Sequence, residues 1–123
     1  MLSVKHIIKE QSFEFALESI ELHKKLTQKN EFIISKQLLR SATSVWVNIE
    51  EASAGQTKKD FHTKMSIASK EARETRYWLR LLDRGLLVDV SLKKYLDEIE
   101  EIIKILTKIV KTTGENIKIS SKF

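Results

Sequence analysis

Long stretches without a helix-breaking residue are the feature that most constrains the fold of this chain. None of the 123 residues is proline, and only three are glycine. Proline interrupts helices and glycine weakens them, so their scarcity allows long helices. A β-rich domain would need many more turn residues, and no segment alternates apolar and polar residues cleanly with a period of two. The sequence therefore predicts an all-α protein.

Apolar residues recur every three or four positions in four segments, which we predict to be helices of residues 4–28, 31–54, 58–84 and 92–113. The second, third and fourth segments each carry one continuous apolar seam, and the seam of the third includes Thr75. The first carries two apolar stripes, which predicts burial on more than one side: Ile8, Phe15, Leu22 and Leu26; and Phe13, Ala16, Leu17 and Ile20. The breaks are short, so we predict one domain, an antiparallel up-down-up-down left-handed four-helix bundle of residues 1–115. We expect the polar tail, residues 116–123, to fray.

The predicted helix ends carry residues with capping chemistry. Gly55 suits a left-handed position after the second helix. Thr57 is the predicted N-cap of the third helix, with Asp60 three residues on. Asp89 or Ser91 is the predicted cap of the fourth.

Several function classes lack their sequence signatures. There is no cysteine, no apolar run long enough to span a membrane and no signal-peptide pattern, so we expect a cytoplasmic protein. The histidines, His6, His23 and His62, are scattered and form no metal motif. No phosphate-binding loop or nucleophile elbow is present. We therefore predict a non-enzymatic protein with no catalytic residue, metal, cofactor or small-molecule substrate.

The third predicted helix carries most of the positive charge. Residues 57–85 hold eight Lys or Arg and four Asp or Glu, a net +4 of the chain's +5. Four arginines lie on one side of the apolar seam, and we call them the arginine stripe: Arg73, Arg76, Arg80 and Arg84. With Lys58 and Lys59 they are the candidate residues for salt-dependent, sequence-independent binding of RNA or DNA. The alternative is a solvated flank whose arginines pair with acids of a neighbouring helix, with Glu98 and Glu101 as candidates.

The opposite flank of the third helix is too apolar for a solvated surface, because it contains Ile67, Trp78 and Leu81. A line of small polar residues on the second helix permits close helix approach and offers hydrogen-bond partners. We predict an interhelix network or oligomer interface formed by Arg40, Ser41, Ser44, Asn48, Lys64, Ile67, Glu71, Glu74, Trp78 and Leu81. The alternative is two ordinary solvated faces with i,i+4 ion pairs.

Two segments resemble a known family. "LLRSATSVWVNIEEA" followed by "TKKDFHTKMSIASKEARETRYWLRLL" resembles the bacterial 23S rRNA intervening-sequence proteins over about residues 8–109. The resemblance implies an up-down four-helix bundle assembled as a ring-like homopentamer. The family is similar to the accessory proteins of diversity-generating retroelements, so nucleic acid and a reverse transcriptase become candidate partners. The motif residues are Arg40, Ser41, Ser44, Asn48, Glu51, Lys64, Glu71, Glu74 and Trp78.

This chain departs from the family pattern at Trp46 and Val47, where two small residues are usual. The departure puts the local packing of the second helix and the exact subunit spacing in question. The sequence as a whole predicts a non-enzymatic oligomeric bundle that binds RNA or DNA non-specifically through its basic stripe. The alternative is a protein-interaction scaffold, or a purely structural oligomer that binds no nucleic acid.

Overall fold

A computed structural model describes residues 3–85 and 87–122 of the chain. They form four α-helices: α1 (Val4–Gln28), α2 (Ile33–Ser53), α3 (Lys58–Arg84) and α4 (Lys93–Lys122). Each helix packs against its neighbours in the chain, and α1 closes the bundle against α4. The predicted all-α, up-down-up-down architecture is therefore confirmed. No helix of the described residues is long and apolar enough to cross a membrane.

The predicted bounds of α1 and α3 are confirmed, and those of α2 were slightly too wide. Glu31 lies outside α2 because its carboxylate accepts hydrogen bonds from the backbone N–H groups of Ile34 (2.9 Å) and Ser35 (2.6 Å). This cap satisfies two of the donors that every helix start leaves free. The apolar pattern alone could not show that an acid at this position closes the helix from outside.

The predicted end of α4 near Thr113 is wrong, because the helix continues through Gly114 to Lys122. Gly114 serves packing between helices: a Cβ there would lie 3.1 Å from Cε1 of His62 on α3. His62 Nδ1 also lies 2.8 Å from the Thr113 hydroxyl oxygen. The fraying of residues 116–123 stays a prediction, and Phe123 lies outside the described residues.

The helix ends confirm one predicted cap and correct another. Thr57 caps α3, and its hydroxyl oxygen accepts a hydrogen bond from the Asp60 N–H (3.0 Å). The left-handed position predicted for Gly55 is wrong, since no glycine of the described residues has positive φ. The left-handed residue is Asn30, at φ 64°, which follows the C-cap residue of α1, Lys29. Its short polar side chain makes asparagine the usual alternative to glycine there.

The core fills the space between all four helices and contains the predicted seams of α2, α3 and α4. Of the two α1 stripes, Ile8, Phe15, Leu22 and Leu26 are buried. The second is a correction to the prediction: only Ala16 is buried, while Phe13, Leu17 and Ile20 remain 39–44% exposed. We call these three exposed residues the α1 stripe.

Candidate functional site

The contact between α2 and α3 is the largest in the bundle, and small side chains form its centre. Ala42, Ala68 and Ala72 are completely buried there. Residues of this size let two helix backbones approach closely. The polar line of α2 is therefore held directly against the motif-bearing face of α3.

A buried pair of hydroxyls joins α2 to α3 at this centre. Oγ1 of Thr75 lies 2.9 Å from Oγ of Ser41, and both residues are completely buried. The Ser41 hydroxyl donates to the Leu38 carbonyl (3.2 Å), and the Glu71 carbonyl lies 2.8 Å from Thr75 Oγ1. Both hydroxyls are thus satisfied, as buried polar groups require. Thr75 was predicted only as part of the apolar seam, and its hydrogen bond to Ser41 was not predicted. A hydroxyl within an apolar seam was the sequence feature that could have indicated this contact.

Arg40 holds the outer edge of the same contact. Its guanidinium pairs with the carboxylates of Glu71 (3.5 Å) and Glu74 across the helix boundary. The indole N–H of Trp78 donates to Glu74 (3.1 Å). Arg40 also donates to Gln37 (3.1 Å) within α2. The predicted motif residues of this part therefore meet in one network.

Of the other predicted members of the network, Lys64 contacts the neighbouring helix and Asn48 does not. Lys64 does bridge the helices, pairing with Glu51 at 2.7 Å. Asn48, in contrast, donates to Ser44 of its own helix, to the carbonyl (2.9 Å) and the hydroxyl (3.2 Å). The structure does not bring Ser44 and Asn48 to a partner on α3, because their side chains satisfy one another.

Apolar side chains border this network on the outside. Ile67 and Leu81 are 36% and 37% exposed, and Trp78 is half-buried. We call these three residues the α3 flank. On the other side of α2, the Trp46 ring packs against the Phe13 ring of the α1 stripe, with centroids 5.4 Å apart. The departure from the family pattern at Trp46 therefore adds to the apolar surface at the α1 stripe.

The arginine stripe faces α4 and is largely engaged there. Arg76 pairs with Glu100 at 3.0 Å, and Arg80 reaches the same carboxylate at 3.6 Å. Arg73 donates to the Thr107 hydroxyl (2.9 Å). The predicted alternative of ion pairs with a neighbouring helix is thus present in the structure.

The prediction that Glu98 and Glu101 pair with the arginine stripe is wrong, because both acids face α1. Glu101 accepts a hydrogen bond from Gln11 (3.4 Å), and Glu98 interacts with Glu18. Glu100 lies one helical step of about 100° from Glu101, which turns its carboxylate towards α3. Among the residues described, Lys58, Lys59 and Arg84 are exposed and form no ion pair.

A pair of carboxyl groups between α1 and α4 was not anticipated from the sequence. Glu18 pairs with Lys94 through Oε1 (3.4 Å), while its Oε2 is buried without a hydrogen-bond partner in the described part of the chain. Burial raises the pKa of the Glu98 carboxyl to about 7, and hydrogen bonding to Glu18 and repulsion by its charge add to the shift. A protonated Glu98 carboxyl can donate a hydrogen bond to the Glu18 carboxylate, whereas a charged Glu98 carboxylate cannot.

Comparisons with known proteins agree with the architecture. The model of the 23S rRNA-intervening sequence protein family matches residues 5–108. A crystal structure of a protein with unknown function from the S23 ribosomal protein family of Bacteroides thetaiotaomicron is similar, with a TM-score of 0.82. The two sequences are 41% identical, and the match covers 89% of this chain and 99% of that one. No curated protein matches the chain.

Proposed function

Because the chain belongs to the 23S rRNA-intervening sequence protein family, we propose that it is a non-enzymatic protein that acts as a homo-oligomer of four-helix bundles. The observation that carries this proposal is the presence of two separate apolar surfaces outside the core. They are the α1 stripe, extended by Trp46, and the α3 flank. Grouped exposed apolar side chains of this kind are typical of protein contact surfaces.

The two surfaces favour a head-to-tail contact between copies. They lie on opposite sides of α2, since Trp46 of α2 contacts α1 while Arg40 of α2 contacts α3. They also differ in chemistry, because only the α3 flank is bordered by the Arg40–Glu74 ion pair. A contact between two different surfaces repeats from copy to copy and closes into a ring when the rotation allows. The sequence resemblance implies a ring of five.

Two charge substitutions test both the contact and its head-to-tail character. Leu17→Lys spoils the α1 stripe, and Leu81→Lys spoils the α3 flank. Both side chains are already exposed in the single chain, so each variant is expected to fold. Light scattering should give each variant alone the mass of one chain, 14.3 kDa. An equimolar mixture should give a dimer, because each variant retains the surface that the other lacks.

The control is Glu14→Gln, an exposed α1 position that forms no ion pair with a described residue, which should keep the mass of the wild type. A wild type of 14.3 kDa would contradict the oligomer. Variants that keep the full mass would contradict the assigned surfaces. A mixture that stays monomeric while the wild type assembles would contradict the head-to-tail contact. If the wild type stays monomeric but captures another protein through the same surfaces, the scaffold alternative holds instead.

Non-specific binding of RNA or DNA is a second candidate function, favoured by the exposed, unpaired Lys58, Lys59 and Arg84. Glu100 already neutralises part of the stripe through Arg76 and Arg80. At 1.5 Å per residue, Lys59 and Arg73 lie about 21 Å apart along α3, so one chain offers two small basic patches. In an oligomer these patches would repeat, and their phosphate contacts would add.

A gel-shift titration at two salt concentrations tests this candidate. We expect weak binding at low salt that falls steeply at high salt. The combined substitution of Lys58, Lys59, Arg73 and Arg84 by Gln should abolish it, whereas Lys24→Gln and Lys25→Gln on α1 should not. Affinity at low salt no better than for an acidic control protein would exclude the candidate.

A further inference from the structure

The side of the bundle between α1 and α4 is its least closely packed side. These two helices share the smallest contact in the bundle. Near the start of α1 they leave an apolar groove of about 520 Å³. Its walls are Val4, Ile7, Phe61, Ile105, Ile109 and Thr112. A volume of this size falls in the range of small-ligand sites.

The apolar residues of the groove are only partly covered by the described part of the chain. Val4 is 57% and Ile7 44% exposed, while Ile105 and Ile109 are half-buried behind them. The α4 residues along it, from Ile105 to Asn116, span about 16 Å of helix. The result is an elongated slot with an apolar floor, which fits an alkyl chain better than a globular ligand.

The charges at the groove have one sign. Lys5 and Lys108 are among its lining residues, and none of the described side chains that line it is acidic. The Lys5 ammonium lies over the Phe61 ring of the groove, 4.4 Å from its centroid, and forms no ion pair with a described residue. Lys108 forms no ion pair with any described residue. Long lysine side chains hold their charge at the edge of an apolar surface.

We propose that the α1–α4 groove binds a single-chain anionic amphiphile of the long-chain carboxylate class. The alkyl chain lies along Ile7, Ile105 and Ile109, where each buried methylene group gains from leaving water. The carboxylate lies between the ammonium groups of Lys5 and Lys108. The lining of the groove includes no residue of the α1 stripe or of the α3 flank, so the proposed site and the proposed oligomer surfaces can be tested separately.

Isothermal titration calorimetry with dodecanoate, below its micelle concentration, tests the proposal on the full chain. We expect saturable binding of one dodecanoate per chain, and at least tenfold weaker binding of dodecyltrimethylammonium, which has the same alkyl chain and the opposite charge. Ile7→Glu should weaken dodecanoate binding at least tenfold. Lys108→Gln should weaken dodecanoate binding and strengthen that of the cation, because it removes an attraction for the first and a repulsion for the second.

Leu17→Glu is the matched control, because Leu17 lies on the same helix and is also 44% exposed. It should leave dodecanoate binding unchanged even where it disrupts the oligomer. Absence of saturable binding, equal binding of the two amphiphiles, or loss of binding with Leu17→Glu but not Ile7→Glu would each overturn the proposal. If dodecanoate does not bind and Ile7→Glu instead lowers the oligomer mass, the groove belongs to a second copy of the chain.

Discussion

The two flanks of α3 carry similar densities of charge but are built differently. On the flank towards α2, Glu71 and Glu74 meet Arg40 at the edge of a close contact that contains the buried Ser41–Thr75 pair. On the flank towards α4, Arg76 and Arg80 share Glu100, and Arg73 reaches only the Thr107 hydroxyl. The first flank joins a surface network to the core, whereas the second joins side chains only at the surface.

A periodic line of charges therefore does not by itself identify a binding surface. Both lines recur every three or four residues, and both find partners on a neighbouring helix. What separates them is the layer beneath, where alanines and two hydroxyls bring α2 close to α3. Ile67, Trp78 and Leu81 border the first flank, whereas Tyr77, 53% exposed, lies one helical turn from Arg73 and Arg80. We therefore propose that assembly uses the α2 side of α3 and that the arginine stripe is mainly a solvated surface.

The largest expected effect comes from forcing α2 and α3 apart. Ala72→Leu adds volume where no space exists, since Ala72 is completely buried. Overpacking of this kind should lower the free energy of unfolding by about 3 kcal/mol. Arg73→Leu, one residue along and exposed towards α4, should change it by less than about 1 kcal/mol. Urea unfolding at one fixed protein concentration measures both, and equal losses would remove the distinction between the flanks.

A smaller effect should follow from removing one hydroxyl of the buried pair. Thr75→Val keeps the shape of the side chain but leaves Ser41 with one hydrogen-bond partner fewer, at a cost of about 1–2 kcal/mol. Thr107→Val is the same change on the α4 flank, where the hydroxyl is exposed, and should cost less than about 0.5 kcal/mol. If the two variants unfold at the same urea concentration, the buried Thr75 hydroxyl contributes no more to stability than the exposed Thr107 hydroxyl.

The carboxyl pair between α1 and α4 predicts a pH dependence of stability. Glu98 has a pKa of about 7 in the folded state, above the ordinary 4.5 of a glutamate carboxyl. The folded chain thus holds the proton more tightly than the unfolded chain, so stability falls as pH rises from about 4.5 to 7 and is level above. Because water reaches the pair, we expect a loss of about 1 kcal/mol.

Urea unfolding between pH 4.5 and 8 measures this dependence. Glu98→Gln should remove the fall assigned to Glu98, and Glu14→Gln, an exposed acid on α1, should preserve it. The groups facing Glu98 are Glu18, Lys94 and Glu101, so Lys94→Gln should raise the pKa of Glu98 further. A profile that is the same with and without Glu98→Gln would contradict the assignment.

The smallest effect is expected from the exposed ion pairs themselves. The Arg40 side chain is 50% exposed, so Arg40→Gln should cost about 0.5–1 kcal/mol despite its two acidic partners. Salt should reduce the difference from the wild type. Arg80→Gln, on the other flank, should cost less than about 0.5 kcal/mol, because its pair at 3.6 Å is longer and more exposed. A larger loss for Arg80→Gln would reverse the ranking of the flanks.

The sequence predicted helix positions well because the apolar seams of α2 and α3 repeat without interruption. It failed where one residue serves two roles. The fourth helix was predicted to end at Thr113, yet Gly114 continues α4 and makes room there for His62. Glu31 was placed inside α2, yet its side chain caps that helix from outside. The α1 stripe was predicted to be buried because periodicity reports apolar faces and does not show what covers them.

In the candidate site, helical spacing predicted which residues meet between α2 and α3, but not the contacts that depend on the rotation of α4. The motif residues Arg40, Glu71, Glu74 and Trp78 do meet, since helical spacing places them on facing sides of α2 and α3. The acid partner of the arginine stripe depended on the rotation of α4 about its axis. That rotation is set by core packing, and one step along the helix separates Glu100 from Glu101. The Glu18–Glu98 pair also required this rotation.

We propose that the chain assembles through the α3 flank and not through the arginine stripe. The sharpest test of this proposal is the mass of three proteins in solution. Light scattering should give the wild type a multiple of 14.3 kDa. Leu81→Lys should reduce the mass to that of one chain, and Arg84→Gln, exposed at the same end of α3, should leave it unchanged. A monomeric wild type, or a mass lowered by Arg84→Gln and not by Leu81→Lys, would contradict the claim.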